Sequence, residues 1–341
     1  MKRPGATDAI STSKRVESTD GFRSAFRALC PLPVRRHLVY PLVKGYRALA
    51  KMAAEKLEPT MLFIQALQAR STLKNAALVA RSLKDISPEW EARIRDVVSC
   101  PDNAFIPRCP DAGDISGSVI TMHNGIRVRA LGYYGSGILN MLVRNRGVHE
   151  PQEERAFSGV LPHIAPGSAI LELGAYWGFY SLWFASVIPE AKCFLVEPDP
   201  RNLEAGRQNF QINGYQASFT RAAVGSVATT GLKSAATISV DSFCERLGID
   251  RLQILHADIQ GSELLMLQGA WRMLLAKAID YVFISTHGEP CHKGCINVLE
   301  EAGYSILCSA DKTQSFSFDG LVVAKSPAIA RPKALEISLK H

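Results

Sequence analysis

The chain has no run of 18 apolar residues, so it offers no membrane-spanning helix, and its charged N-terminus has no apolar core of signal-peptide length. The expectation is a soluble, cytoplasmic protein. A disulfide framework is also missing: Cys30, Cys100, Cys109, Cys193, Cys244, Cys291, Cys295 and Cys308 are scattered, several of them inside strand-like or helix-like runs, which suits a reducing compartment. There is no Gly-x-Gly-x-x-Gly, the phosphate-binding fingerprint of dinucleotide folds. Nor is there a standard zinc spacing. His287-Gly-Glu-Pro-Cys291-His292-Lys-Gly-Cys295 holds imidazoles and thiols, but Cys291 and Cys295 lie one helical turn apart, as structural thiols do, and no metal is expected. Acidic residues are scarce at one end only. Residues 1–100 carry 18 Lys and Arg against 9 Asp and Glu, while the remainder carries 21 against 23. A basic end of this kind can meet nucleic acid, an anionic membrane or an acidic polymer, although a solvated helical surface is the plainer reading.

What is present centres on residues 168–180, Ser-Ala-Ile-Leu-Glu-Leu-Gly-Ala-Tyr-Trp-Gly-Phe-Tyr. The apolar run Ala169 to Leu173 suits a parallel strand covered on both faces. Gly174 and Gly178 then bracket a turn where a missing Cβ allows sharp bending and close approach to a ligand, and a helix starts near Phe179. Cys193 to Val196 reads as the next strand, ending on Glu197, 25 positions after Glu172. A carboxylate at that tip is where a doubly wound fold grips the two hydroxyls of a ribose. The two signals together indicate an adenosine-type cofactor.

Glu172-Leu-Gly-Ala-Tyr-Trp-Gly178, Glu197-Pro-Asp199, Asn209-Phe-Gln-Ile-Asn-Gly214, Val240-Asp-Ser-Phe243 and Asp258-Ile-Gln-Gly-Ser-Glu263 followed by Leu267-Gln-Gly-Ala270 occur in this order. In this the chain resembles the FkbM-type family of S-adenosylmethionine-dependent methyltransferases, over roughly residues 149–324. The resemblance implies a class I methyltransferase (Rossmann-like) α/β fold, with a seven-stranded doubly wound sheet and an antiparallel last strand. It implies S-adenosylmethionine as cofactor and methyl transfer to a hydroxyl of a sugar, polysaccharide or small natural product. Carried over residue by residue, Glu150, Glu172, Gly174, Ala175, Tyr176, Gly178, Glu197, Asp199, Ala223 and Asp258 would bind the cofactor. Asp258, Glu263 and His287 would serve catalysis. Two departures stand out: Tyr176-Trp177 replaces small residues in the loop, and His287 replaces a frequent Glu.

In chain order, residues 1–22 have few large apolar groups and are expected to be flexible, and 23–100 to be helical. Within that region Leu38 to Lys51 forms a basic amphipathic pattern, for packing or weak membrane-surface contact. Met61 to Ala80 reads as another helix, and Ser87-Pro-Glu-Trp90 as a capped helix start. Pro101 to Gly117 has the composition of a linker, and Val119 to Ala130 that of a hairpin with a type I′ turn at Asn124-Gly125. The methyltransferase domain spans 149–325. Ala217 to Arg221 is its third strand, with Ala223 in an exit loop of small residues where adenine could lie flat. Asp241 opens a helix, and Leu252 to His256 forms the fourth strand, ending near Asp258. Tyr281 to Ser285 is the fifth strand, placing His287 beside Asp258. Residues 326–341 read as a loose basic tail.

Beside the cationic cofactor Asp258 should keep a low pKa and His287 an ordinary one, which makes His287 the better base. A small-molecule or glycan acceptor is expected as partner, and no nucleic acid. The rival readings are an RNA N-methyltransferase guided by the basic N-terminus, which lacks an Asn-Pro-Pro-Tyr-like motif, and a non-catalytic cofactor-binding partner protein.

Overall fold

The computed structural model describes residues 77–341, apart from 80, 85, 132–134 and 231–234. The fold is that of the compact unit Arg81–His341. The segment 1–22, the basic pattern at 38–51 and nearly all of the expected helix at 61–80 lie outside the described residues.

The unit begins with α1 (Pro88–Ser99), whose start is read correctly from sequence: Ser87 accepts a hydrogen bond from the Trp90 amide at 3.3 Å. Three short strands follow, β1 (Ile115–Ser116), β2 (Val119–Thr121) and β3 (Arg127–Arg129), then α2 (Gly135–Arg144) and α3 (Pro151–Val160). Next come β4 (Ala169–Leu173), α4 (Phe179–Val187), β5 (Lys192–Val196), α5 (Pro200–Asn213) and β6 (Ser218–Thr220). The short pair β7 (Ala223–Val224) and β8 (Thr237–Ile238) leads to α6 (Val240–Leu247) and β9 (Leu252–Ala257). The chain closes with α7 (Glu263–Gln268), α8 (Trp271–Leu275), β10 (Ile279–Thr286), α9 (Glu289–Glu301), β11 (Ser305–Ala310) and β12 (Gly320–Lys325).

The main sheet has the order β11-β12-β10-β9-β4-β5-β6. From β10 to β6 every pairing is parallel, and β12 alone runs antiparallel to both neighbours. All five residues of β4 and all eight of β10 are buried, as apolar strands with helices on both faces must be. No described helix is long and apolar enough to cross a membrane.

The second sheet, β1-β2-β3, is fastened to α5 by side chains that imitate a neighbouring strand. Asn209 accepts from the Arg129 amide at 3.0 Å, and Asn213 accepts from the Arg127 amide at 3.0 Å while donating to the Arg127 carbonyl at 2.6 Å. Asn209 also donates to the Trp177 carbonyl at 3.0 Å. The Asn-Phe-Gln-Ile-Asn-Gly stretch thus ties the hairpin to the loop after β4.

Four expectations need correction. Met122 closes the β2–β3 hairpin with Ile126, and of the loop residues only Gly125 has positive φ, at 86°. This is a three-residue loop with a glycine bulge, and type I′, which needs two positive φ values, is ruled out. The 101–117 segment is packed rather than a linker: Asp102 is fully buried, accepting from Arg155 at 2.7 Å and from the Ser338 amide and hydroxyl. The tail is docked rather than loose, because Gln152 donates to the Ser338 carbonyl and Lys340 reaches Asp96 at 2.7 Å. Finally, Ser239 caps α6 in a capping box with Ser242. Asp241 instead accepts from the Arg272 and Met273 amides at the start of α8.

Candidate active site

Strand order reverses between β4 and β9, since the chain leaves β4 towards β5 on one side and β9 towards β10 on the other. Ligands of doubly wound sheets settle outside the carboxyl ends of the strands at such a point. Here the two exits touch. Gly174 has φ 67°, and a Cβ on it would lie 1.8 Å from the Asp258 carbonyl oxygen, so no other residue fits. Tyr176 also takes positive φ, 47°, a conformation rare outside glycine. The loop is held from below by aromatic rings. Trp177 stacks on Phe179 at 5.5 Å and meets His149 edge-on at 5.0 Å, so this bulky residue packs the loop, while Tyr176 lines both lobes of the cleft.

Over this junction lie two lobes that share Gly174, Tyr176, Asp258 and Gln260, of about 370 and 390 Å³, within the range of small-molecule sites. The second lobe is lined by Glu197, Asn202, Ala223, Val224 and Ile259. Glu197 is held rigidly there: one oxygen accepts from the Tyr176 amide at 3.1 Å, the other from the Asp199 amide at 2.8 Å. Burial pushes its pKa up, and these backbone bonds pull against that.

The first lobe carries the titratable groups, and His287 stands in it at the tip of β10. Its Nδ1 is 2.8 Å from Glu263, whose carboxyl is held below its usual range because hydrogen bonds from His287 and the Gly261 amide outweigh its burial. A charged carboxylate only accepts, so the ring proton sits on Nδ1. Nε2 is buried, 3.2 Å from Asp319 and 3.4 Å from Asp258. His287 and Asp258 both depart upward from their expected values, with Asp258 still below His287. Burial opposes the imidazolium, but the Glu263 hydrogen bond and the charges of Asp319 and Asp258 outweigh it and raise His287. Burial, with the Asp319 charge, pushes Asp258 up to about 6.

Behind this lobe the Val148-His-Glu-Pro-Gln-Glu-Glu run of α3 folds into a buried acid and imidazole network. Glu154 is 2.7 Å from His149 and 3.0 Å from His123, and it accepts from the His149 and Glu150 amides. Glu153 takes His256 at 2.7 Å and Ser285 at 3.0 Å. Glu150 accepts from the Tyr180 hydroxyl at 2.9 Å.

Of the residues singled out from sequence, Glu150, Glu172, Gly174, Ala175, Tyr176, Glu197, Ala223, Asp258 and His287 line the two lobes. Three do not. Gly178 starts α4 with φ 71°, where a Cβ would lie 2.7 Å from Leu195. Asp199 caps α5 and pairs with Arg201 at 2.9 Å. Glu263 is fully buried and acts only through His287 and Cys291. Even Glu172, which does line the cleft, gives an oxygen to the Ser181 amide in α4. Sequence reasoning missed Asp319, Tyr180, His149, Arg93 and Lys312. Only the dense acids and histidine of residues 149–154 gave a signal, and that signal resembled an exposed helix start. Cys291 and Cys295 lie in α9 with sulfurs 4.0 Å apart, and among the described residues no metal-holding cluster is present.

A seven-stranded sheet of this order with one antiparallel strand, opening into a cleft at its switch point, defines the class I methyltransferase fold, Rossmann-like in type. No protein-family model and no curated protein matches the chain. Similar solved structures include a precorrin-6Y C5,15-methyltransferase from Geobacter metallireducens, with 14% identity and TM-score 0.36, covering 51% of this chain and 89% of that one. Another is a putative SAM-dependent methyltransferase from Streptococcus mutans, with 11% identity and TM-score 0.40, covering 61% and 55%. A third is M. capricolum TrmK in complex with S-adenosylhomocysteine, with 12% identity and TM-score 0.34, covering 50% and 68%.

Proposed function

We propose that the protein is an S-adenosylmethionine-dependent methyltransferase of the FkbM type that methylates a hydroxyl group on a sugar or a small natural product. The observation that carries the reading is the pairing of Glu197, fixed by two backbone amides in one lobe, with the His287, Asp258 and Asp319 cluster in the other, across the Gly174 junction. The residues fit the cofactor. Glu197 retains lone pairs for the ribose hydroxyls, and the loop from Gly174 to Tyr176 brings backbone close to the ligand. Glu150 and Asp258 line the lobe that would receive its positive charge.

When bound, S-adenosylmethionine supplies a methyl group activated by the adjoining sulfonium. The protein's part is alignment and proton removal. Nε2 of His287 accepts the proton of the acceptor hydroxyl, Glu263 holds the opposite ring nitrogen, and Asp258 and Asp319 stabilise the imidazolium that forms. Glu197→Ala should weaken S-adenosylhomocysteine binding by roughly 1.5–3 kcal/mol, the usual contribution of hydrogen bonds to a charged group. Calorimetric titration of both proteins measures this, and an unchanged affinity would place the ribose elsewhere.

A further inference from the structure

The outer rim of the first lobe is as basic as its depth is acidic. Arg93, from α1, and Lys312, from the loop between β11 and β12, both line it. They flank one ring: the Arg93 guanidinium carbon lies 5.0 Å and the Lys312 ammonium 4.7 Å from the centroid of Phe318, which is 55% exposed and directly precedes Asp319. Trp90 also contacts Arg93, at 4.9 Å, so the guanidinium lies over two aromatic rings. Neither cation makes an ion pair among the described residues, whereas Arg144, Arg155 and Arg251 each hold a carboxylate. The Nε of Arg93 is moreover buried without a hydrogen-bond partner. An arginine oriented this firmly, with a buried donor unused, is costly unless a ligand satisfies it. Asp319, Asp258 and Glu150 line the same lobe and repel an anion from its depth, which confines the anion to the rim.

We propose that the methyl acceptor carries an anionic group, a carboxylate or a phosphate, which Arg93 and Lys312 hold at the rim while its neighbouring hydroxyl reaches His287. The proposal deepens the methyltransferase reading and rests on it for the role of that hydroxyl. Arg93, Lys312 and His287 line one lobe, with Asp319 directly following Phe318, so charge and reactive oxygen belong on one small unit, as in a uronic acid, a sugar phosphate or a hydroxy acid.

The test is a titration of the full-length protein at low salt, with and without saturating S-adenosylhomocysteine, using glucose, glucuronate and glucose 6-phosphate as probes. At least one anionic sugar should bind about tenfold more tightly than glucose. The two anions against each other distinguish carboxylate from phosphate. Lys312→Met, at an exposed position, and Arg93→Met should each remove most of that preference, with Arg93→Lys retaining part of it and S-adenosylhomocysteine affinity unchanged. Equal binding of neutral and anionic sugars, no charge-dependent binding at all, or a preference that survives both Met substitutions would overturn the proposal. If S-adenosylhomocysteine fails to bind while the anion preference and its loss are seen, the cofactor reading falls and the anion site stands.

Discussion

His287→Ala should lower turnover by about 10² to 10⁴, the range of a positioned general base, and leave S-adenosylhomocysteine affinity within about twofold. The expectation rests on direction as much as on proximity. Glu263 fixes the proton on Nδ1 and leaves Nε2 as the basic nitrogen, beside Asp319 and Asp258. Its pH dependence follows from the surroundings of the ring. A base must be neutral to act, and the carboxylates about His287 raise its pKa above the ordinary ~6.5. Turnover should therefore fall as pH drops through a value above that, and the limb should vanish in the variant. Were Asp258 the base, the limb would lie near about 6 and survive. Glu263→Gln should move the same limb while leaving the cofactor bound, as a positioning residue would. Transfer of labelled methyl from S-adenosylmethionine into the acceptor fraction of a cell extract gives the readout. Full turnover with an unshifted profile in His287→Ala would leave the histidine a packing role.

Glu154→Ala should destabilise the protein by roughly 3–5 kcal/mol, the usual effect of removing one member of a buried ion pair. Thermal unfolding should register this as a fall on the order of 10 °C in Tm. Glu154 is fully buried, and its loss strands His149, His123 and two backbone amides together. The pH dependence has two sides. Burial disfavours the Glu154 carboxylate, but His149 and His123 outweigh it and hold its pKa below the ordinary range. That contribution is present above the unfolded value of ~4.3 and is lost in acid. For His149 burial likewise opposes charge, yet Glu150 and Glu154 raise it to about 9. Its contribution is whole below ~6.5 and is lost as pH rises towards 9. Stability should thus peak between those limits, and the alkaline decline should shrink in the variant. A loss below about 1 kcal/mol would mean that the network relaxes without its centre.

The parts legible in the sequence were those with local causes. An apolar run, two glycines and an acid 25 positions on were enough for β4, its loop and Glu197. The tips of β9 and β10 brought Asp258 and His287 together because adjacent parallel strands end on one edge. Motif neighbours with structural duties were over-read: Gly178 and Asp199 shape α4 and α5 and do not reach the cleft. Asp319, Lys312 and Arg93 come from an irregular loop and from a helix ahead of the domain, and only the folded chain makes them neighbours. The upward shifts of Asp258 and His287 were hidden for the same reason. They depend on Asp319 and Glu263 standing around one ring, and no spacing records that. Tyr176-Trp177 was visible as a departure, but the packing of Trp177 on Phe179 and His149 was not.

The central claim is that this switch-point cleft takes an S-adenosyl cofactor and no dinucleotide. Calorimetric titration of the purified protein with S-adenosylhomocysteine and with NAD tests it most directly. S-adenosylhomocysteine should bind at micromolar affinity, weakened in Glu197→Ala, and NAD should show no measurable binding. Binding of NAD as tight as or tighter than S-adenosylhomocysteine would contradict it.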